Sequence, residues 1–155
     1  MRNRQMSLPE AGEDKRGPEG RLGYLLRQAA AAHRLRMERA LADLDITPPQ
    51  FTVLTMLASY PGCSNADIAR IAVLTAPTVT VIVGNLEARG AVTRRRHAEH
   101  GRILHIDVSA QGLALLERCR ERVHALDEAL LAGFAEEEEA AVRRWLSAAA
   151  RDPAA

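Results

Sequence analysis

"TAPTVTVIVGNLEARG", residues 75–90, carries two periodicities at once. Its centre alternates Thr and Val and runs on into Ile and Val, the composition of a β-strand. Its end, "LEARG", suits a helix that stops at glycine. The spacing decides for the helix: Val79, Ile82, Val83 and Leu86 fall at i, i+3, i+4 and i+7, whereas a strand leaves "GNLEAR" with no alternation to follow. Thr75 is placed to cap the helix, Pro77 lies in the tolerant first turn and Gly90 is the left-handed stop. Against alanine, Val79, Val81, Ile82 and Val83 together cost roughly 1–2 kcal/mol of helix propensity. Burying three or four apolar side chains at about 1.5–3 kcal/mol each outweighs that.

Working outward, Ser64 with Asp67 three residues later predicts a capping box that opens a short helix through Ile68 to about Ala72. Upstream, "ITPPQ" predicts a helix start with Thr47 as cap and Pro48 and Pro49 in the first turn, and Phe51, Leu54 and Leu57 face inward. Before it, Leu22, Leu26, Ala29, His33, Met37, Leu41 and Leu44 mark one face of a long helix over 21–44. Downstream, "AVTRRRH" and "RILHIDV" alternate over six or seven residues each and predict a β-hairpin joined by residues 98–101. Ser109 then caps a long helix with Leu113, Leu116, Val123, Leu126 and Leu130 on one face, and a last helix carries Val142, Trp145, Leu146 and Ala149.

The predicted fold is therefore mainly α with a small β-hairpin wing: a winged helix-turn-helix flanked by N- and C-terminal helices. In that arrangement the second helix of the pair enters the major groove and the hairpin lies along the backbone. Residues 1–19, rich in Pro, Gly and charge, are expected as a flexible arm. The remaining segments are 20–46 for the first helix, 47–108 for the winged region and 109–150 for the last helices, all within one domain of a 155-residue chain.

Net charge is only +1 and aromatics are 3%, so a nucleic-acid surface has to come from local segregation of charge. Such segregation exists. Arg89, Arg94, Arg95, Arg96 and Arg102 fall within fourteen residues that contain one acid, Glu99, while Glu136, Glu137, Glu138 and Glu139 form an acidic block downstream. With the apolar face of the 75–90 helix packed inward, Thr78, Thr80, Val81 and Asn85 face outward, where hydroxyl, methyl and amide groups can meet phosphates or base edges. The candidate DNA-contacting set is Ser64, Thr75, Thr78, Thr80, Val81, Asn85, Arg94, Arg95, Arg96 and Arg102. Gly84, costing roughly 1 kcal/mol against alanine in a helix, leaves room for close backbone approach.

Two cysteines without a disulfide pattern point to a reducing compartment, and the N-terminus has no apolar run for a signal peptide. A cytoplasmic protein with no membrane partner is expected. No Gly-rich phosphate loop, carboxylate pair or nucleophile–base pair supports an enzyme, and no cofactor is implied. Cys63, near a helix start, is a conceivable oxidation sensor, but Cys63, His97, His100 and His105 lack zinc-ligand spacing, so no metal is expected.

The segments "ITPPQFTVLTML" (46–57), "PGCSNADIARIAVLTAPTVTVIVGNLEARGAVTRR" (61–95) and "GRILHIDVSAQGLALLE" (101–117) together resemble, in order and spacing, the MarR family of transcriptional regulators. The resemblance spans residues 22–150. It implies a homodimer whose first and last helices interlock, a pseudo-palindromic double-stranded DNA operator, most often repression, and release by a small, frequently phenolic or aromatic effector. It also implies that Arg102 enters the minor groove. His100 stands where the family commonly has aspartate, which leaves the partner of Arg102 open, and Val81 stands where it commonly has arginine, which implies a different DNA sequence preference. For the effector the candidates are His33, Met37 and Met56, although ordinary core packing is the favoured reading of all three. The alternative is a winged-helix module that binds protein instead of DNA, favoured by a recognition helix that carries almost no charge.

Overall fold

The computed structural model describes residues 8–96 and 104–151, in two compact units, Met1–Pro48 and Pro49–Ala155. In the first unit, α1 (Leu22–Leu41) runs into a tighter 3-10 turn, Ala42–Leu44, which Asp45 ends in the left-handed region at φ 52°. The predicted long helix forms, but its last turn is not α-helical and its stripe is buried only toward the end. Met37, Leu41, Leu44 and Ile46 are buried, whereas Leu22 is 65% exposed. Part of the segment expected as an arm is tied down. A 3-10 turn, Asp14–Arg16, precedes α1, and the Arg16 guanidinium donates to the Pro9 carbonyl at 2.8 Å and to Gln28 Oε1 at 3.0 Å.

The second unit follows the order α2 (Pro48–Ser59), α3 (Asn65–Ile71), α4 (Ala76–Ala88), β1 (Val92–Arg96), β2 (Leu104–Val108), α5 (Ala110–Leu131) and α6 (Glu136–Ala149). Among the described residues no single helix is long and apolar enough to cross a membrane. The segment 75–90 is helical. Its predicted inner face is buried, with Val79, Val83 and Leu86 at 0% exposure and Ile82 at 7%. Both ends are built as the residues dictate: Thr75 accepts from the Thr78 N–H at 3.3 Å, and Gly90 turns left-handed at φ 71°. The Gly90 N–H then bonds the Glu87 carbonyl and the Ala91 N–H the Leu86 carbonyl, which closes a Schellman motif.

α3 and α4 meet at 111°, inside the range that defines a helix-turn-helix. The turn between them contains Val73 at φ 54°, a β-branched residue in the left-handed region and 90% exposed. That conformation costs an ordinary residue about 1–2 kcal/mol, and nothing is packed over Val73 to offset it. Val73→Gly is expected to stabilise the protein by about 0.5–1 kcal/mol after glycine's larger unfolded-state entropy is subtracted. Thermal melting then rises by roughly 2–3 °C; an unchanged or lower midpoint removes strain from this turn.

Ser64 and Asp67 form the predicted capping box. Asp67 accepts from the Ser64 hydroxyl at 2.7 Å and from its backbone N–H at 3.1 Å. These two bonds, followed by the Arg70 charge, hold the Asp67 carboxyl below its ordinary value. A depressed carboxylate pKa contributes stability above the unfolded value, and that contribution fades as pH falls through the folded one. Ser64→Ala is therefore expected to cost about 1 kcal/mol at neutral pH. Its deficit against the natural protein should narrow below the usual carboxylate range in urea titrations; a deficit that is constant with pH excludes the Asp67 linkage.

The hairpin is antiparallel, with Val92 opposite Val108, Arg94 opposite Ile106 and Arg96 opposite Leu104. Val92 and Ile106 turn to the core at 1% exposure. The loop before α3 lies along the outer edge of β2: the Ile106 N–H donates to the Cys63 carbonyl at 3.2 Å, and His105 Nδ1 bonds the Gly62 carbonyl. α5 is capped by Ser109, whose hydroxyl accepts from the Gly112 N–H at 2.9 Å. Its buried residues are Gly112, Leu116 and Cys119. Of the predicted α5 face only Leu116 is buried; Val123 and Leu126 are half-buried, and Leu113 and Leu130 are 49% and 45% exposed.

Candidate nucleic-acid interface

α4 presents Thr75, Thr78, Thr80, Val81 and Asn85 to solvent, as the periodicity predicts. The hydroxyls are not equivalent. Thr75 Oγ1 and Thr78 Oγ1 lie 2.7 Å apart at the helix N-terminus, sharing one hydrogen. Thr80 Oγ1 donates back to the Ala76 carbonyl at 3.0 Å and accepts from Asn65 Nδ2 of α3 at 3.3 Å. Val81 is 63% exposed. The Asn85 amide forms no hydrogen bond or ion pair among the described residues. Gly84 lies on the same side, and a Cβ there would meet nothing within 4 Å, so the fold itself does not require glycine. Ser64 is placed differently: it is half-buried and its hydroxyl is engaged with Asp67.

The arginines divide between the two faces of the hairpin. Arg94 shares the face of Val92 and Ile106 and reaches Glu87 of α4, with Nε 3.2 Å from Oε2. Arg95, on the opposite face, pairs diagonally across the strands with Asp107 at 3.0 Å. Arg96 ends β1. Arg102, His97 and His100 lie outside the described residues. Opposite the cluster of positive charge, therefore, stand Glu87 and Asp107, acids that a count along residues 89–102 does not include. Neither Asn65 nor these two acids is marked by local periodicity; only the α3–α4 turn and the strand register bring them to the site.

The surroundings of Cys63 disfavour its thiolate. Burial pushes its thiol above the ordinary value and Asp67 adds to that, with Arg70 opposing. A protonated thiol is the unreactive form. Among the described residues no group of His, Cys, Asp or Glu has the geometry to hold a metal ion. His33 and Met37 share one face of α1 in the first unit, and Met56 is half-buried on α2 in the second. His33 Nδ1 is buried without a hydrogen-bond partner.

Known proteins share this architecture. The MarR family model matches residues 44–103. Over 125 residues the chain is 36% identical to the HTH-type transcriptional repressor Rv2887 of Mycobacterium tuberculosis, which covers 81% of this chain and 90% of that protein. The solved structure of the MarR family protein Rv2887 in complex with salicylic acid superposes with a TM-score of 0.68 at 35% identity, over 84% of this chain and 96% of that one. The Staphylococcus aureus MepR–DNA complex gives a TM-score of 0.77 at 26% identity, over 83% and 96% of the two chains. With a helix-turn-helix, an antiparallel wing, long terminal helices and more than a third of its aligned residues shared with a family repressor, this chain belongs to the MarR family of DNA-binding transcriptional regulators.

Proposed function

We propose that the protein is a homodimeric repressor that grips a pseudo-palindromic operator and releases it when a small aromatic acid binds. The observation that carries this reading is the outward row Thr78, Thr80, Val81 and Asn85 on a helix set at 111° to its partner. Thr75 and Thr78, at the positive end of α4, suit a phosphate. Thr80, Val81 and Asn85 suit base edges. Arg94, Arg95, Arg96 and Arg102 of the hairpin supply charge for the backbone and the minor groove. Ser64, held in its capping box, contributes through α3's position.

Dimerisation is supported by apolar faces that the single chain leaves open. On α6 no residue is buried, and Trp145 and Leu146 are 42% and 43% exposed. α1 likewise exposes Leu22, Leu26 and Leu35. Two copies place two recognition helices about one helical turn, roughly 34–36 Å, apart on the operator. Selection of bound sequences from random DNA should return two inverted half-sites at that spacing; a pool with no preferred sequence overturns the proposal.

The effector part rests on His33 and on the salicylic acid complex of Rv2887. An unpartnered buried nitrogen costs about 1–3 kcal/mol, and a carboxylate or phenol arriving there removes that cost. Met37, one turn along α1 from His33, offers adaptable apolar contact. The effector acts only through its difference in affinity between the DNA-competent and the released arrangement. Calorimetry with salicylic acid should show binding that His33→Phe removes; equal affinity in both proteins eliminates His33.

The ion pairs at the hairpin favour one specific test of DNA contact. Glu87→Gln frees Arg94, so log affinity for DNA against log salt should steepen by about 0.9 for each added phosphate contact. An unchanged slope favours the second reading, a winged-helix module that docks on protein, since Arg94 and Arg95 are already paired with acids.

A further inference from the structure

We propose that α4 reads its operator chiefly through methyl groups. Thr80 and Val81 meet the C5-methyls of thymines, Asn85 is the hydrogen-bonding base reader beside them, and Asn65 is the positioning residue that turns Thr80's methyl outward. This rests on the DNA reading above and specifies the chemistry of the half-site.

The Thr80 hydroxyl spends its hydrogen on the Ala76 carbonyl at 3.0 Å and accepts from Asn65 at 3.3 Å. With the oxygen turned back against the helix and α3, the γ-methyl is the branch left toward solvent on this exposed residue. Turning the Asn65 amide over presents its Oδ1, otherwise buried and unpartnered, to the same hydroxyl, so Asn65 holds the oxygen inward in either orientation. Val81, one residue on and 63% exposed, has no polar atom. In the major groove the one apolar feature a base pair presents is the thymine methyl.

The remaining hydroxyls do not change this. Thr75 and Thr78 are joined to each other at the N-terminus, where the spare hydrogen meets backbone rather than base. Asn85, four residues beyond Val81 on the same side, keeps both amide groups uncommitted among the described residues, and an asparagine amide matches the N6 and N7 edge of adenine. Gly84 between them carries no side chain to hold the bases away. The half-site that fits is rich in thymine, with an adenine opposite Asn85.

The test uses the full-length protein and the operator it selects from random DNA. Replacing the half-site thymines by deoxyuridine removes only methyl groups, and affinity should fall about fourfold per contacted methyl. Thr80→Val, which keeps a methyl and discards the hydroxyl, should bind within about twofold of the natural protein, whereas Thr80→Ser should lose about fourfold for each half-site. Thr80→Ser should also cease to distinguish thymine from deoxyuridine at one position. Asn65→Ala should weaken that same discrimination while leaving bulk DNA affinity at high and low salt parallel to the natural protein's. Equal binding of the thymine and deoxyuridine operators overturns the proposal, as does a Thr80→Val variant that fails where Thr80→Ser succeeds. Either result leaves DNA binding itself standing. Failure to select any sequence overturns both.

Discussion

Gly112→Ala is expected to destabilise the protein by about 3 kcal/mol, the upper end of overpacking costs. Helix propensity alone predicts the opposite sign, a gain of about 1 kcal/mol for alanine. The contact decides. A Cβ at Gly112 would stand 1.9 Å from the Ala91 carbonyl oxygen and 2.8 Å from Val108 Cγ1. Backbone is the nearer obstacle, so no rotamer change relieves it and the start of α5 must move by more than an ångström. That start is tied to the end of α4 and the base of the hairpin. The Ser109 N–H donates to the Ala91 carbonyl, the Ser109 hydroxyl to the Gly90 carbonyl, and the Gln111 amide to the Arg89 carbonyl at 3.0 Å. Moving α5 strains all three, and with them the stop of the recognition helix. The melting temperature should fall by roughly 6–12 °C. Gly84→Ala is the matched control: with nothing within 4 Å of its Cβ, it should gain about 0.5–1 kcal/mol. Equal responses at the two sites would refute the close packing of α5 against the hairpin.

Trp145→Glu is expected to leave each subunit folded but separate the proposed dimer, lowering operator affinity at least about a hundredfold. On α6, Val142, Trp145, Leu146 and Ala149 recur at helical spacing, yet all are exposed within one chain. Covering the open part of Trp145 returns on the order of 2 kcal/mol per subunit, and a carboxylate in its place has to be desolvated instead. The intrachain fold does not depend on this residue. α6 is held from its own start, where the Ala135 N–H donates to Glu138 at 2.8 Å, Glu136, Glu137, Glu138 and Glu139 oppose the helix dipole, and Arg143 pairs with Glu139 at 2.6 Å. The large loss on DNA follows from avidity: once two recognition helices are joined, the second half-site binds at an effective concentration near millimolar, and separation abolishes that term. Sedimentation should report a monomer with unaltered far-ultraviolet circular dichroism. A dimer of normal affinity would place the interface away from α6.

What the residues determined by themselves was local. Thr75, Ser64 and Ser109 cap helices because a side-chain oxygen satisfies an N–H two or three residues on, and Gly90 stops α4 because no side chain opposes a positive φ. The helical reading of 75–90, the outward set on it and the alternating hairpin all follow from spacing along one stretch of chain. Tertiary structure decided whatever needed a partner far along the chain: Asn65 turning the Thr80 hydroxyl inward, Glu87 and Asp107 pairing with Arg94 and Arg95, and Gly112 meeting the Ala91 carbonyl. It also decided which hairpin face turned to the core, putting Arg94 beside Val92 and Ile106. Periodicity states which side chains share a face, but whether a hydroxyl, a guanidinium or a missing Cβ is committed depends on which other element the packed core brings within about 3 Å.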